Sequence, residues 1–285
     1  MSNENPRRCW AVYRELAHSP GRETDDAEIL RATGRHLEAK GFTVAYKTPE
    51  EVAAVTDGFP PFLFVMCERL PVLDHLERWT RRGAVQVNSP AGIRNTYRDL
   101  TIGLFEKGGV SFPESRIVPT RPGAAALRDL SGPHWVKRAD VHATQEGDVA
   151  FAPEPRDLPP LLARLASRGI DRAVVQEHVP GDLVKFYGVG MDGDERTWFQ
   201  WFYHRDQELR NHPFAETELR ATAAHAARCL GLEVFGGDAI VRADGRLFVI
   251  DLNAWPSFAL YRAAASERIA SYLAARFLQN VGVTG

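Results

Sequence analysis

Cysteine is scarce in this 285-residue chain: there are three, Cys9, Cys67 and Cys229, and no Cys-x-x-Cys pair. An odd, scattered set argues against a disulfide framework or a zinc site and fits a reducing compartment. An excess of positive charge is also missing. The 35 Lys and Arg are balanced by 37 Asp and Glu, a net charge of −2. That is not the footprint of a nucleic-acid binder, and no nucleic-acid partner is expected. Long apolar runs are missing too. The longest, around "FPPFLFVMC", falls far short of a bilayer span, and the polar start "MSNENPRRCW" has no apolar signal core behind its charges. The expectation is a soluble, cytoplasmic protein with no membrane partner. Two phosphate-binding loops are missing as well: no Gly-x-x-x-x-Gly-Lys-Ser/Thr occurs, and no Gly-x-Gly-x-x-Gly follows the first strand.

What is present begins with alternation. "CWAVYRE" (9–15) has strand character, and "DDAEILRATGRHLEAKG" follows as an amphipathic helix with Ile29, Leu30, Thr33 and Leu37 on one side. "FTVAYKT", "PPFLFVMC" and "AVQVNSP" are further strands, with the helix "VLDHLERWTRRG" before the last. This predicts a parallel α/β layer over residues 1–88. A helix over 89–109 is entered through Ser89 with proline next. Beyond it, short antiparallel strands and single helices at 156–169, 214–230 and 263–280 make an α+β body. The expected divisions are 1–88, 89–178 and 179–285.

The chemistry concentrates in "FGGDAIVRADGRLFVIDLNAWPSF" (235–258). With Asp244-Gly245 as a two-residue turn, Val241 faces Phe248, Ala239 faces Ile250 and Asp238 falls opposite Asp251. Opposed side chains have Cβ atoms roughly 4.5–5.5 Å apart, where like charges repel. Asn253, two residues on, shares the face. Two carboxylates and an amide oxygen suit a hard cation such as Mg²⁺, which keeps positions for substrate phosphates. The alternative is a surface hairpin with solvated acids, which the apolar "LFVIDLN" argues against.

Cations for a polyphosphate are available at Lys137 in "HWVKRAD", Lys185 in "DLVKFYGVG" and Arg98 on the 89–109 helix; taken alone, each is better explained as a solvent-facing side chain. "VVQEHVPGDLVKF" ends an apolar strand in Gln176-Glu177-His178-Val179, an edge able to offer backbone groups to adenine. Asp182 could accept from ribose hydroxyls. The alternative is an ordinary strand before a Pro-Gly turn.

The order Arg98, Lys137, Gln176-Glu177-His178-Val179, Asp182, Lys185, Asp238, Asp251, Asn253 resembles the ATP-grasp superfamily over about residues 90–285. The resemblance implies ATP held between two α+β subdomains behind an N-terminal α/β domain. It also implies phosphate contacts from the strand lysines, adenine at the hinge segment, and two Mg²⁺ ions on the acidic–x–Asn motif with its upstream acid. "GLEVFGGDAIV…FVIDLNAWPSF" and "VVQEHVPGDLVKFYGVG" look most similar to the inositol trisphosphate kinase branch, which also carries a histidine after the first lysine, where His142 stands. The branch's His-Lys pair in the N-terminal domain is missing, the glycine-rich phosphate loop of many ligases is missing, and Arg98 stands where a lysine is usual.

The implied chemistry is γ-phosphoryl transfer. A carboxylate acceptor, on a small molecule or peptide, gives an acyl phosphate and then an amide, making the protein a carboxylate–amine ligase. A hydroxyl acceptor makes it a kinase of inositol phosphates. A non-catalytic nucleotide-binding module is the third reading. His142 and Arg205 are the expected catalytic contacts, and Ser257 and Arg262 the expected rim of the acceptor pocket. "WFQWFYHR" (198–205) is expected to be a strand packed on both faces rather than a stacking platform.

Overall fold

The computed structural model describes residues 7–121, 124–140, 145–190 and 197–281. Strands β1 (Arg8–Val12), β2 (Thr43–Lys47), β3 (Phe62–Val65) and β4 (Val85–Val87) form a sheet in the order β2-β1-β3-β4, every pairing parallel. Helices α1 (Glu23–Glu38), α2 (Pro49–Ala53) and α3 (Leu70–Arg81) make the crossovers. Period-two alternation sends Cys9 and Ala11 against Ile29, Leu30 and Leu37 of α1. It sends Val12, Leu63 and Val65 against Leu73, Leu76 and Trp79 of α3. With both faces covered, the strands read as continuous apolar runs.

The predicted 89–109 helix is two helices, α4 (Pro90–Arg94) and α5 (Arg98–Gly108). Side chains break the continuity: Thr96 Oγ1 donates to the Ile93 carbonyl and Thr101 Oγ1 to the Asn95 carbonyl. Such local bonds compete with the helical ladder. Tyr97 is extended there, and its hydroxyl donates to the Glu68 carbonyl of the first layer. The break sets Arg98 on the first turn of α5, 8% exposed.

The second sheet is antiparallel, β5 (Ser115–Pro119), β6 (His134–Arg138), β7 (Val149–Ala152) and β8 (Arg172–Glu177), in the order β5-β8-β6-β7. Helix α6 (Leu158–Ser167) covers one face through Leu158, Leu162 and Leu165, packed on Val118, Val136, Ala173 and Val175. Lys137 and Gln176 alternate with these residues and face away from α6.

The third sheet, also antiparallel, is β9 (Asp182–Val189), β10 (Trp198–Tyr203), β11 (Val234–Val241) and β12 (Leu247–Ala254), in the order β10-β9-β11-β12. Helix α7 (Glu216–Leu230) covers the face of Val184, Phe186, Ala239 and Val241. The opposite face carries Lys185, Asp238, Asp251 and Asn253. As expected, β10 is packed on both sides: Phe199, Trp201 and Tyr203 toward the α7 core, Trp198 and Phe202 toward the other. Helix α8 (Arg262–Val281) returns to the first layer, where Phe277 stacks on Phe62 at 4.8 Å between ring centroids. No helix among the described residues is long and apolar enough to cross a membrane.

Candidate active site

Asp238 lies directly opposite Asp251 across β11 and β12, as the sequence predicts, but by a different route. The turn has three residues, Ala243-Asp244-Gly245, closed by Gly245 N–H donating to the Arg242 carbonyl and Arg242 N–H to the Arg246 carbonyl. Gly245, at φ +81°, takes the left-handed position such a loop requires. Val241 therefore faces Leu247, and Ala239 faces Val249, one residue off the two-residue count. A β-bulge between Asp238 and Ala239 leaves Ile250 as the extra residue and restores the acid-to-acid opposition.

Each acid meets a cation. Lys185, opposite Asp238 across β9 and β11, sets Nζ 2.9 Å and 3.0 Å from the two carboxylate oxygens. Arg98 reaches from α5 to within 3.8 Å of Asp251 Oδ2, while its other nitrogen donates to the Arg138 carbonyl. Asn253 Nδ2 donates to Asp251 Oδ2 at 3.4 Å. Lys137 bridges the sheets: Nζ donates to Gln176 Oε1 at 2.8 Å and to the Ile250 carbonyl at 3.2 Å. The bulge thus supplies the acceptor that joins the second sheet to the third. Arg98, Lys137, Gln176, Ile250 and Asp251 line a small cavity at this junction.

The electrostatics follow from the crowding. Burial lowers the Lys137 pKa to about 8 against the attraction of Asp251. Burial raises the Asp238 carboxyl above the usual carboxylate range; the Lys185 charge opposes the rise and Asp251 adds to it. An acid pair beside three cations is a place where polyphosphate and a hard metal can exchange for the internal pairs. Two carboxylates plus an amide oxygen, offered by a half-turn of the Asn253 amide, are the donor chemistry of Mg²⁺. Among the described residues no group of three or more His, Cys, Asp or Glu side chains could hold a metal, so phosphate and water would supply its other ligands.

The residues Gln176 to Val179 have part of their hydrogen-bonding capacity taken. Glu177 N–H donates to the Glu114 carbonyl and His178 N–H to the Pro133 carbonyl. Gln176 is 2% exposed and donates from Nε2 to Ser115 Oγ. The His178 ring accepts at Nδ1 from Trp135 Nε1, 3.1 Å away, and burial lowers its pKa. Val179 is buried beside them.

Other expected site residues are engaged elsewhere. Asp182 is 1% exposed and accepts the N–H groups of Arg210 and His212, each at 2.7 Å. It anchors the loop after β10, with one N–H on each carboxylate oxygen. Arg262 pairs with Asp25 and Glu28 of α1 and so ties α8 to the first layer rather than lining an acceptor rim. Ser257 is buried, its hydroxyl making no hydrogen bond among the described residues. Arg205 is exposed on the loop after β10, and among the described residues no contact joins it to the acid pair. His142 lies outside the described residues.

Arg14 escaped the sequence reading. Its Nη2 donates to the carbonyls of Trp255 (2.6 Å) and Ala254 (3.2 Å), the residues just after Asn253. Asp26 lies 3.5 Å from its Nε and Glu68 3.2 Å from its Nη1. Glu15 accepts the backbone N–H groups of Glu68 and Arg69 at the start of α3. The signal was available: polar residues immediately after the strands of a parallel layer mark its carboxyl edge, where ligands bind in open α/β sheets.

No protein-family profile matches the chain, and no curated protein matches it in sequence. Solved structures do match in three dimensions. D-alanyl-alanine synthetase A from Vibrio cholerae superposes with TM-score 0.72 at 10% identity, covering 96% of this chain and 98% of that one. The D-alanine–D-alanine ligase from Coxiella burnetii gives TM-score 0.72 at 11% identity, covering 96% of both chains. A RimK-domain ATP-grasp protein from Sphaerobacter thermophilus gives 0.68 at 15% identity, covering 94% and 99%. The fold, end to end, is the ATP-grasp fold.

Proposed function

We propose that this chain is an ATP- and Mg²⁺-dependent carboxylate–amine ligase. The observation that carries the reading is the row of Asp251, Asp238 and Lys185 on one sheet, facing Lys137 and Arg98 from the other side of a cleft. Its support is the likeness of the whole fold to D-alanine–D-alanine ligases and a RimK-domain protein. In this reading residues 1–88, 89–178 and 179–285 are the N-terminal domain and the two ATP-grasp subdomains.

Asp238, Asp251 and Asn253 would hold Mg²⁺. The ion, once bound, neutralises charge on the β- and γ-phosphates. Lys137, Lys185 and Arg98 hold the phosphates from both sheets, with lysine acting as a point charge. The backbone of Glu177 and Val179 meets the adenine edge. A carboxylate oxygen of the acceptor then forms a bond to the γ-phosphorus as the bond to the β-phosphate oxygen breaks, releasing ADP. An amine attacks the acyl carbon, loses a proton and displaces phosphate, leaving an amide. The chain's part is positioning and charge neutralisation.

The kinase reading rests on local sequence motifs, and the structural likenesses reported above give it no support. ADP release is measured with pooled carboxylates and amines, and separately with inositol phosphates, while mass spectrometry follows any new amide. Amide formation is expected; ADP release with inositol phosphates and no amide overturns the ligase. Asp251→Asn is expected to abolish Mg-ATP turnover with the fold intact, and retained turnover removes the metal assignment.

A further inference from the structure

The metal-bearing face of the third sheet continues past the acids, and what it carries there narrows the acceptor. Strand pairing fixes the rows. The first row runs Asp251, Asp238, Lys185, Phe202 across β12, β11, β9 and β10. The next runs Asn253, Gly236, Tyr187, Gln200 in the same order. Opposed residues share a face, so Phe202 and Tyr187 stand immediately beside Lys185 on the side where phosphoryl transfer is placed.

The chain after Asn253 folds back over this second row. A Cβ on Gly236 would lie 2.6 Å from Pro256 Cγ and 2.9 Å from Tyr187 Cδ1, so glycine is what lets the loop come down here. Phe258, at φ +50°, then turns its ring onto Tyr187, 4.8 Å between centroids. Tyr261 packs against Tyr187, Trp198 and Phe202 at 6.3, 6.2 and 6.1 Å. Phe258 and Tyr187 are buried, but Phe202, Trp198, Tyr261 and Gln200 are only half-buried. The ring cluster therefore presents a partly open wall that runs continuously into the charged row.

We infer that the acceptor is a carboxylic acid with an aromatic or bulky apolar body, its carboxylate meeting the γ-phosphate held at Lys185 and its body against Phe202 and Tyr261. The inference rests on the ligase reading, because that reading places the acceptor carboxylate at the γ-phosphate beside this row. Geometry then favours an apolar body: on the side of Lys185 away from Asp238 this face carries the Phe202 ring, with Tyr187 and Gln200 in the next row and Leu183 and Ile240 on the other flank. A methyl-sized acceptor would leave this wall wet, whereas an aromatic body covers it. Binding sites at domain junctions combine an apolar wall with a few polar points in this way.

Propanoate and 3-phenylpropanoate differ only by the ring and make the test. The full chain is saturated with Mg²⁺ and a non-hydrolysable ATP analogue, and each acid is titrated by calorimetry, with tryptophan fluorescence compared between the parent chain and Trp198→Phe. Phenylpropanoate is expected to bind at least tenfold tighter and to change the emission. Phe202→Ala and, separately, Tyr261→Ala are expected to cut that preference to threefold or less without changing affinity for the nucleotide analogue, which doubles as the control for folding. Equal or tighter binding of propanoate overturns the inference, as does an undiminished preference in both variants. No phenylpropanoate binding to the nucleotide-loaded protein also overturns it. Failure of the nucleotide analogue to bind the parent chain overturns the ligase reading and this inference together, and is read out separately from those results.

Discussion

Lys185 holds both carboxylate oxygens of Asp238, at 2.9 Å and 3.0 Å, from the strand beside it. In the proposed reaction those two residues have different partners, the lysine a phosphate and the aspartate a metal. Mg-ATP binding must therefore exchange one ion pair for two. Asp238→Asn removes the metal ligand and releases the lysine at once. Turnover with Mg-ATP is expected to fall about a hundredfold or more, since a catalytic metal contributes several kcal/mol at ~1.4 kcal/mol per tenfold. Nucleotide binding without Mg²⁺ is expected to persist or tighten. Calorimetry with and without the metal reads both, and parallel losses of the two affinities would contradict the exchange.

Lys137 gives a pH dependence with a definite sign. Its pKa is pulled from 10.5 to about 8 by burial, so the folded chain carries fewer protons there than the unfolded chain. Stability of the nucleotide-free protein accordingly rises with pH from below 8 toward 10.5. Polyphosphate favours the charged lysine, so nucleotide binding is expected to take up a fraction of a proton near pH 8 and to weaken at higher pH. Binding enthalpies in buffers of different ionisation heat measure that uptake. Lys137→Met is expected to abolish it.

Asp182 separates two assignments of one residue. It faces the backbone N–H groups of Arg210 and His212, not open cleft. Burial would raise its pKa, but those two bonds win and hold it below the usual carboxylate value. The stability it contributes is present above the ordinary pKa and is lost as pH falls through the lowered one. Asp182→Ala removes the acceptor of two part-buried N–H groups, at about 0.5–1.5 kcal/mol per lost hydrogen bond. Faster amide exchange at Arg210 and His212 is expected, with nucleotide affinity changed less than twofold. A large selective loss of nucleotide affinity would restore the ribose role.

Much of this was legible from spacing alone, and the remainder shows what spacing cannot carry. The parallel first layer follows from alternating strand and helix patterns, because period and breaker residues are local. The opposition of Asp238 and Asp251 was legible, yet through two offsets that cancel: a turn one residue longer than counted and a bulge at Ile250. Neither leaves a clear mark in "AIVRADGRLFVI". The partners of Arg262 on α1, of Asp182 beyond β10 and of Arg14 after β12 are set by tertiary packing across long sequence separations. A chemically suitable residue near a motif is thus no guide to what it touches. The split of the 89–109 helix is intermediate: Thr96 and Thr101 were visible as competitors, but the pull of Tyr97 toward Glu68 was not.

Arg14 makes the strongest claim on stability away from the acids. Its guanidinium is buried against Asp26 and Glu68 while clamping the Trp255 carbonyl. Burial disfavours its charge, but Glu68, Asp26 and Glu15 outweigh that and hold its pKa above the ordinary arginine value. Trp255 sits at φ +43°, a conformation costly for a bulky residue, so the carbonyl bond and the stacking of its ring on Phe64 at 5.7 Å hold it there. Arg14→Met takes the guanidinium from two buried carboxylates, leaving Asp26 with the Ser19 hydroxyl and Glu68 beside His18, and removing one partner of a buried pair costs about 3–5 kcal/mol. A matching drop in the urea midpoint is expected, with unchanged slope. Arg14→Lys keeps the charge but loses the fork that spans acids and carbonyls, so it is expected to recover only part of that stability. Full recovery by lysine would mean that charge alone, not the hold on Trp255, is what the first layer supplies to the strand carrying Asn253.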